Sequence, residues 1–411
     1  MKRINRDLYI QKIINKKENG LIKIITGIRR CGKSFLLDPL YKEYLINNGV
    51  DENHIIKLDL DERKNKKYLD PDTLDEYVRS LIIDDNMYYL LLDEVQKVDD
   101  FESVLNGFLH IKNLDVYVTG SNSKFLSSDI ITEFRGRGDE IRVFPLSFSE
   151  FCTAFEGTKD EAWEEYITYG GMPRILSCNN ENEKSSYLKQ LFEKTYLSDI
   201  IERNNVQRVE VLDAMINILS SSIGSLTNPN KLFNTFISNG IKDISINTIT
   251  TYLKYLQDSY LIEKSKRYDI KGKKYIQTPY KFYFSDIGLR NSRLNFRQQE
   301  EAHIMENIIY NELLYRGYNV DVGVVSIENK KQIEIDFVCN QFNKRYYIQS
   351  SLSLSTREKT LQEERPLLNI PDNFKKIIVV KDDKKAWITE EGILIIGIKE
   401  FLLNKNSLDL Y

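Results

Sequence analysis

One stretch narrows the possible folds of this 411-residue chain more than any other: Gly27-Ile28-Arg29-Arg30-Cys31-Gly32-Lys33-Ser34. It lies between the apolar run Leu21-Ile22-Lys23-Ile24-Ile25 and the amphipathic start Ser34-Phe35-Leu36-Leu37, and it fits G-x-x-x-x-G-K-[ST] in the strand, loop, helix setting that gives the motif its meaning. Gly27 and Gly32 allow a fold tight enough for successive backbone N–H groups to face phosphate oxygens, and the helix N-terminus adds partial positive charge. A plain turn needs neither Lys33 nor Ser34. Lys33 is expected to reach the β- and γ-phosphates of ATP, and Ser34 to place its hydroxyl on Mg2+, whose preference for hard oxygen suits a phosphate complex. The candidate nucleotide contacts are therefore Gly27, Ile28, Arg29, Arg30, Cys31, Gly32, Lys33, Ser34 and, next in line, Phe35.

Sixty residues beyond Lys33, Tyr88-Tyr89-Leu90-Leu91-Leu92 runs into Asp93-Glu94, an apolar strand ending in two acids. The pattern is that of a Walker B strand: Asp93 would hold the magnesium with Ser34, and Glu94 would orient and polarise the attacking water. A further strand, Asp115 to Thr119, ends in Gly120-Ser121-Asn122-Ser123, where Asn122 or Ser121 could contact the γ-phosphate or the water; a plain Asx or Ser turn is the alternative. Phe134-Arg135-Gly136-Arg137-Gly138-Asp139-Glu140-Ile141-Arg142 holds three arginines, one of which could stabilise transition-state charge, with Arg137 taken first; exposed loop arginines are the other reading.

Together with Phe144-Pro145-Leu146-Ser147-Phe148-Ser149-Glu150-Phe151 and Tyr169-Gly170-Gly171-Met172-Pro173, these segments resemble a prokaryotic family of AAA-type ATP-binding proteins. Its members pair an N-terminal AAA domain with a C-terminal domain of unknown function. The likeness covers nearly the whole chain. It implies ATP binding and hydrolysis and leaves the biological task open.

Strands at Leu21, Ile55 to Leu58, Tyr88 to Leu92 and Asp115 to Thr119 alternate with helical patterns, which predicts an α/β fold: a P-loop NTPase parallel sheet over residues 1–150. Helical periodicity without strands predicts a helical subdomain over 151–225. Residues 226–295 read helix, helix, hairpin, a winged-helix-like region. In it Ser245 caps a helix with Ile246, Ile249, Tyr252, Leu253 and Leu256 on one face and Thr250, Thr251 and Lys254 outward. Its hairpin gathers Lys264, Lys266, Arg267, Lys271, Lys273, Lys274 and Lys281 with Tyr268 and Tyr275, which suits DNA phosphate contact; a spacer or protein-contact module with a solvated wing is the competing reading.

Residues 296–411 read as a small α/β domain. The order Glu306, Asp336, Gln349 is similar to the restriction-endonuclease-like fold, where acids bind a divalent ion and a lysine two residues after the last helps activate water. Ser351 stands in that lysine's place, so a nuclease site here is expected to be degenerate.

Composition sets the outer limits. At 41% hydrophobic and 29% charged, with 8 prolines and 19 glycines, the chain is globular rather than linker-like or fibrous. Fifty-eight Lys and Arg against 61 Asp and Glu give a formal charge of -3, so any nucleic-acid contact must be local. No apolar run approaches the ~20 residues needed to span a bilayer, and Met1 to Asp7 is not followed by a signal-peptide core. The four cysteines and three histidines are scattered, with no disulfide or zinc spacing. A cytoplasmic protein is expected, with ATP as ligand and DNA, a protein partner or a second copy of the chain as possible associates. Three functions follow: a magnesium-dependent ATPase that drives the attached regions, an ATP-switched DNA-binding regulator, and a metal-dependent nuclease.

Overall fold

The computed structural model describes residues 3–120, 136–241, 243–297, 300–327, 332–382 and 385–410. These fall into two compact units, one ending at Pro145 and the other running from Leu146.

The first unit is built on five strands: β1 (Ile22–Thr26), β2 (Ile55–Asp59), β3 (Tyr88–Asp93), β4 (Leu114–Thr119) and β5 (Gly138–Arg142). They form a parallel sheet in the order β2-β3-β4-β1-β5. All five residues of β1 and all six of β4 are buried, as expected for central strands covered on both faces. On one face Ile22, Ile24, Leu58, Leu90, Leu92 and Val116 pack with Leu74 and Val78 of helix Pro71–Leu81 and with Leu105 and Phe108 of helix Phe101–Phe108. The other face carries a polar core in which Lys23 pairs with Asp115. Asp115 also accepts from the Tyr117 hydroxyl at 2.6 Å, and Tyr41 donates to Tyr117 at 2.6 Å. A buried ion pair of this kind is tolerated because every charged atom has a hydrogen-bond partner nearby.

β5 was not legible as a strand. It is an edge strand with only Ile141 fully buried, so it shows no alternation of apolar and polar residues. The segment that follows is held by the N-terminus: Arg6 donates to the Phe144 carbonyl at 2.5 Å, and the Phe144 N–H donates to the Tyr9 hydroxyl at 2.9 Å.

The second unit opens with helices. Ser147 with Glu150, and Thr158 with Glu161, form capping boxes at the starts of Phe148–Ala154 and Lys159–Tyr169. Helices Val209–Ser221, Pro229–Ser238 and Ile246–Asp258 follow, the last capped by Ser245 as expected. Ile249, Tyr252, Leu253 and Leu256 are its buried face, whereas Ile246 is 41% exposed.

An eight-stranded mixed sheet completes this unit: β6 (Ile262–Asp269), β7 (Lys274–Phe284), β8 (Asn319–Ser326), β9 (Gln332–Gln341), β10 (Lys344–Ser351), β11 (Lys375–Val380), β12 (Trp387–Ile388) and β13 (Leu394–Gly397). The order is β12-β13-β11-β10-β9-β8-β6-β7. The β6–β7 hairpin therefore does not stand apart as a wing, because β6 lies parallel to β8 with Arg267 opposite Val322. Ile335, Val338, Tyr347, Ile378 and Ile395 form the core of this sheet with Leu367 of helix Arg357–Leu368. Among the described residues no helix is long and apolar enough to cross a membrane.

Candidate functional site

The loop between β1 and the helix that starts at Lys33–Phe35 is shaped by its glycines and anchored by two apolar side chains. Gly27 has φ +135, and a Cβ there would stand 2.1 Å from the Val143 carbonyl oxygen, so only glycine fits. Ile28 and Cys31 turn inward; Cys31 Sγ lies 3.5 Å from the same carbonyl. Their part in any ligand contact is thus through the backbone. Arg29, Arg30, Ser34 and Phe35 face outward, Phe35 being 44% exposed. Lys33 is buried, and its ammonium donates to the Gly27 and Ile28 carbonyls at 3.0 and 3.2 Å. The positive charge is held inside the loop by the loop itself.

Sheet order decides what meets this loop. β4 is inserted between β1 and β3, so the C-terminal ends of all three strands lie side by side, and a ligand crevice at that edge is the usual place in such sheets. The Ser34 hydroxyl comes close enough to the Asp93 carboxylate across the gap to pull its pKa down. Thr119, the last residue of β4, donates its hydroxyl to Asp93 and accepts the Glu94 backbone N–H at 3.1 Å. Glu94 itself has φ +57 and ψ +45, a left-handed conformation that costs a non-glycine residue energy and is found at functional positions. Its carboxylate accepts from the Gln96 amide.

Burial pushes the Asp93 pKa up, with the charges of Glu94 and Asp59 adding to that, while the Ser34 and Thr119 hydroxyls pull it down. A carboxylate in this setting gains from a cation, and the Ser34 hydroxyl with the strand-end carboxylates is a set of hard oxygen donors. The residues fit magnesium bound with a nucleotide.

Three of the sequence candidates are thus brought together: the 27–34 loop, Asp93 and Glu94. Arg137 is not. Its carbonyl accepts from Ile22 N–H at 2.9 Å, at the start of β1, and its guanidinium donates to Asn106 at 3.2 Å. Five residues of strand, roughly 16 Å at ~3.3 Å each, separate it from the loop. Arg142 is the arginine at the loop end of β5, opposite Thr26, and its guanidinium covers the Phe144 ring at 4.6 Å. Asn122, Ser121 and Arg135 lie outside the described residues. Thr119, which joins both acids, was missed; parallel pairing of Leu92 with Val118 puts it beside Asp93, a relation that exists only once the strand order is known.

In the second unit the hairpin lysines do not all behave as a solvated wing. Lys281 is 3% exposed and turned inward, pairing with Glu306 at 2.7 Å, Glu334 at 2.8 Å and Asp336 at 3.7 Å. Tyr283 also donates to Glu306 at 2.6 Å. Asp336 accepts from the Ser350 N–H at 2.8 Å, and Gln349 accepts from the Asp336 N–H at 3.4 Å. Burial first, then the Glu306 charge, raise Asp336 to about 7.

A sequence-family model described as an AAA domain matches residues 19–152, and two models described as domains of unknown function match 160–300 and 301–401. An uncharacterised protein of Haemophilus influenzae is 34% identical over 407 residues, covering 97% of this chain and 98% of that protein. An uncharacterised protein of Methanocaldococcus jannaschii is 29% identical over 425 residues, covering 94% and 89%. Among solved structures, a Walker-type ATPase of Pyrococcus abyssi shares the fold with a TM-score of 0.50 at 15% identity, covering 71% of this chain and 96% of that one.

Proposed function

From the premise that this chain belongs to the family of the Haemophilus influenzae protein and carries an AAA domain at its N-terminal end, we propose that it binds ATP with magnesium and hydrolyses it. The observation that carries this reading is the approach of Ser34 of the phosphate loop to Asp93 at the end of β3, close enough for its hydroxyl to pull that carboxylate's pKa down. Two segments sixty residues apart in sequence meet at one strand edge, and the chemistry needs both there.

Each residue then has a task. The backbone N–H groups of 27–34 face the phosphates, and the Lys33 ammonium, already set inside the loop, answers their charge. Ser34 and Asp93 would hold magnesium, which when bound neutralises charge on the transferring phosphoryl group. Glu94 polarises the attacking water and takes up its proton. Thr119 and Gln96 fix the orientation of that carboxylate, one through the backbone and one through the side chain. The nucleotide state, in this reading, controls the helical, winged-helix-like and C-terminal regions of a cytoplasmic protein.

The acids around Lys281 are an internal ion network in this reading rather than a cleavage site, since the ammonium already answers their charge. Calorimetry and steady-state turnover test the whole. Lys33→Ala is expected to abolish ATP uptake, and Glu94→Gln to keep uptake while turnover falls at least 100-fold; the wild type should not cut DNA with Mg2+ or Mn2+. Undiminished uptake in the first variant or unchanged turnover in the second overturns the ATPase assignment. Cutting that disappears in Asp336→Asn overturns the structural role of the C-terminal acids.

A further inference from the structure

We propose that single-stranded nucleic acid binds a groove on the eight-stranded sheet, lined by residues of β6, β7, β8 and β10. This goes beyond the nucleotide site and does not depend on it. Between residues 264 and 274 the chain carries Lys264, Lys266, Arg267, Lys271, Lys273 and Lys274 against the single acid Asp269. A net charge of -3 for the whole chain makes so dense a local excess a surface property rather than a trend of composition.

The fold places part of this excess beside aromatic rings. Lys264, Lys266 and Tyr268 of β6, Tyr275 of β7, Asp321 of β8 and Arg345 of β10 line one open groove of about 620 Å³. Tyr268 stands directly across the hairpin from Tyr275, their rings edge to face at 5.5 Å. Arg345 comes from three strands away, its guanidinium 5.6 Å from the Tyr268 ring and 5.4 Å from that of Phe374. Tyr275 is 59% exposed, a high value for a ring in a strand, and its hydroxyl is fixed by a 3.0 Å bond to Asp321. The ring is therefore oriented and open.

Among the described residues the lysines of the groove form no ion pair, although the Lys266 charge is felt by Asp321. Lys273 and Lys274 form none among the described residues either; Lys264 and Lys266 lie over the Tyr280 and Tyr275 rings, at 4.4 and 5.7 Å. Burial first, and then the neighbouring Lys266 charge, hold Lys264 below the usual lysine range. Of the two acids in the groove, Asp321 is engaged by Tyr275, and Glu263 stands beside Lys264 in the chain.

An exposed ring among cations that form no ion pair matches one ligand chemistry best. Bases of a single strand have exposed π-faces to stack on Tyr275 and Tyr268, and their phosphates can follow the lysines. A duplex hides its bases, so the rings would gain nothing from it. The helix Ile246–Asp258, which would have to enter a duplex groove, presents Thr250, Thr251 and a single cation, Lys254, on its outward face. An acidic peptide could satisfy the lysines but not the rings.

Fluorescence anisotropy on the full chain tests this, with labelled 20-mers of oligothymidylate and oligouridylate, duplex DNA of mixed sequence, and polyglutamate. Either single strand should bind at least ~10-fold tighter than duplex, with log affinity falling against log salt at a slope of about -2 to -3 for three or four phosphates neutralised. A preference for DNA or for RNA names the natural source, and equal binding supports the shared chemistry. Tyr275→Ala and the pair Lys264→Ala with Lys266→Ala should each weaken binding about 10-fold, while Tyr275→Phe, which keeps the ring and drops the Asp321 bond, should retain it. Lys33→Ala should bind the single strand like the wild type, which separates failure here from failure at the nucleotide site. Equal or tighter duplex binding, equal polyglutamate binding, no single-strand binding at 100 µM, or folded Tyr275→Ala binding like the wild type overturns the proposal.

Discussion

The Thr119 hydroxyl sits where three parts of the nucleotide site meet: it ends β4, donates to Asp93 and accepts from the backbone of Glu94. Removing it leaves a carboxylate and an N–H without that partner, close to where water must be held. Thr119→Val keeps the shape and deletes both bonds. Because Lys33 and the loop amides are untouched, ATP affinity should change by less than about 3-fold, while kcat should fall roughly 10- to 100-fold, a loss in the positioning of Asp93 and Glu94. Thr119→Ser should recover most of the rate, and a wild-type kcat in the valine variant would remove Thr119 from the mechanism. The sequence does not single out Thr119, for a physical reason. Residues 121 and 122 follow the strand and look like side chains free to turn toward a ligand, whereas a threonine inside an apolar strand reads as a β-former.

At the level of elements, the segment Tyr169-Gly170-Gly171 shows what a motif without chemistry is for. Helix Lys159–Tyr169 ends against the start of helix Ile287–Arg293 so closely that a Cβ on Gly288 would stand 2.0 Å from the Tyr169 carbonyl oxygen. Asp286 caps the second helix at the Leu289 N–H, 3.0 Å, and also accepts from the Gly171 N–H at 2.7 Å, tying the two elements. Gly288→Ala must therefore push the helices apart, which should cost about 1–3 kcal/mol and lower the urea midpoint with little change in ATP turnover. A midpoint equal to the wild type would mean that the junction yields freely. Helices with caps and strong periodicity, such as the one after Ser245, were legible from sequence, and so were β1 to β4 of the first sheet with their apolar runs. β5 was not, because edge strands need only one buried face and Ile141 alone supplies it. Nor could sequence assign Lys281. It follows six exposed or half-exposed basic residues in a hairpin, and only the arrival of Glu306 and Glu334 from other elements turns it into a buried counter-ion.

For the whole molecule, the unequal distribution of buried acids between the two units gives stability a direction in pH. In the unit from Leu146 onward, burial raises Asp286 from 3.8 to about 6 and Glu312 from 4.5 to about 7, the latter despite its 2.7 Å pair with Arg316. His303 is raised too, chiefly by the Glu306 carboxylate 3.8 Å from its Nδ1. A folded state that holds its protons more tightly than the unfolded chain is favoured at low pH, and the advantage is lost as pH climbs through the shifted values. The histidine works in the same sense, its stabilisation being present below about 6.5 and fading above its raised pKa. Below pH 4.5 the trend must turn, since Glu306 is held under its ordinary value and its protonation would release Lys281. Stability of this unit should therefore be greatest near pH 4.5 to 5 and fall by on the order of a few kcal/mol by pH 8. Both tryptophans, Trp163 and Trp387, belong to it, so indole emission follows its unfolding without dissection of the chain. Urea midpoints read by that emission should be higher at pH 5.5 than at pH 8.0, and Asp286→Asn, which keeps one acceptor and cannot ionise, should shrink the difference. A midpoint that is flat or rises with pH over this interval would show that these carboxyls are ionised as readily in the fold as in water.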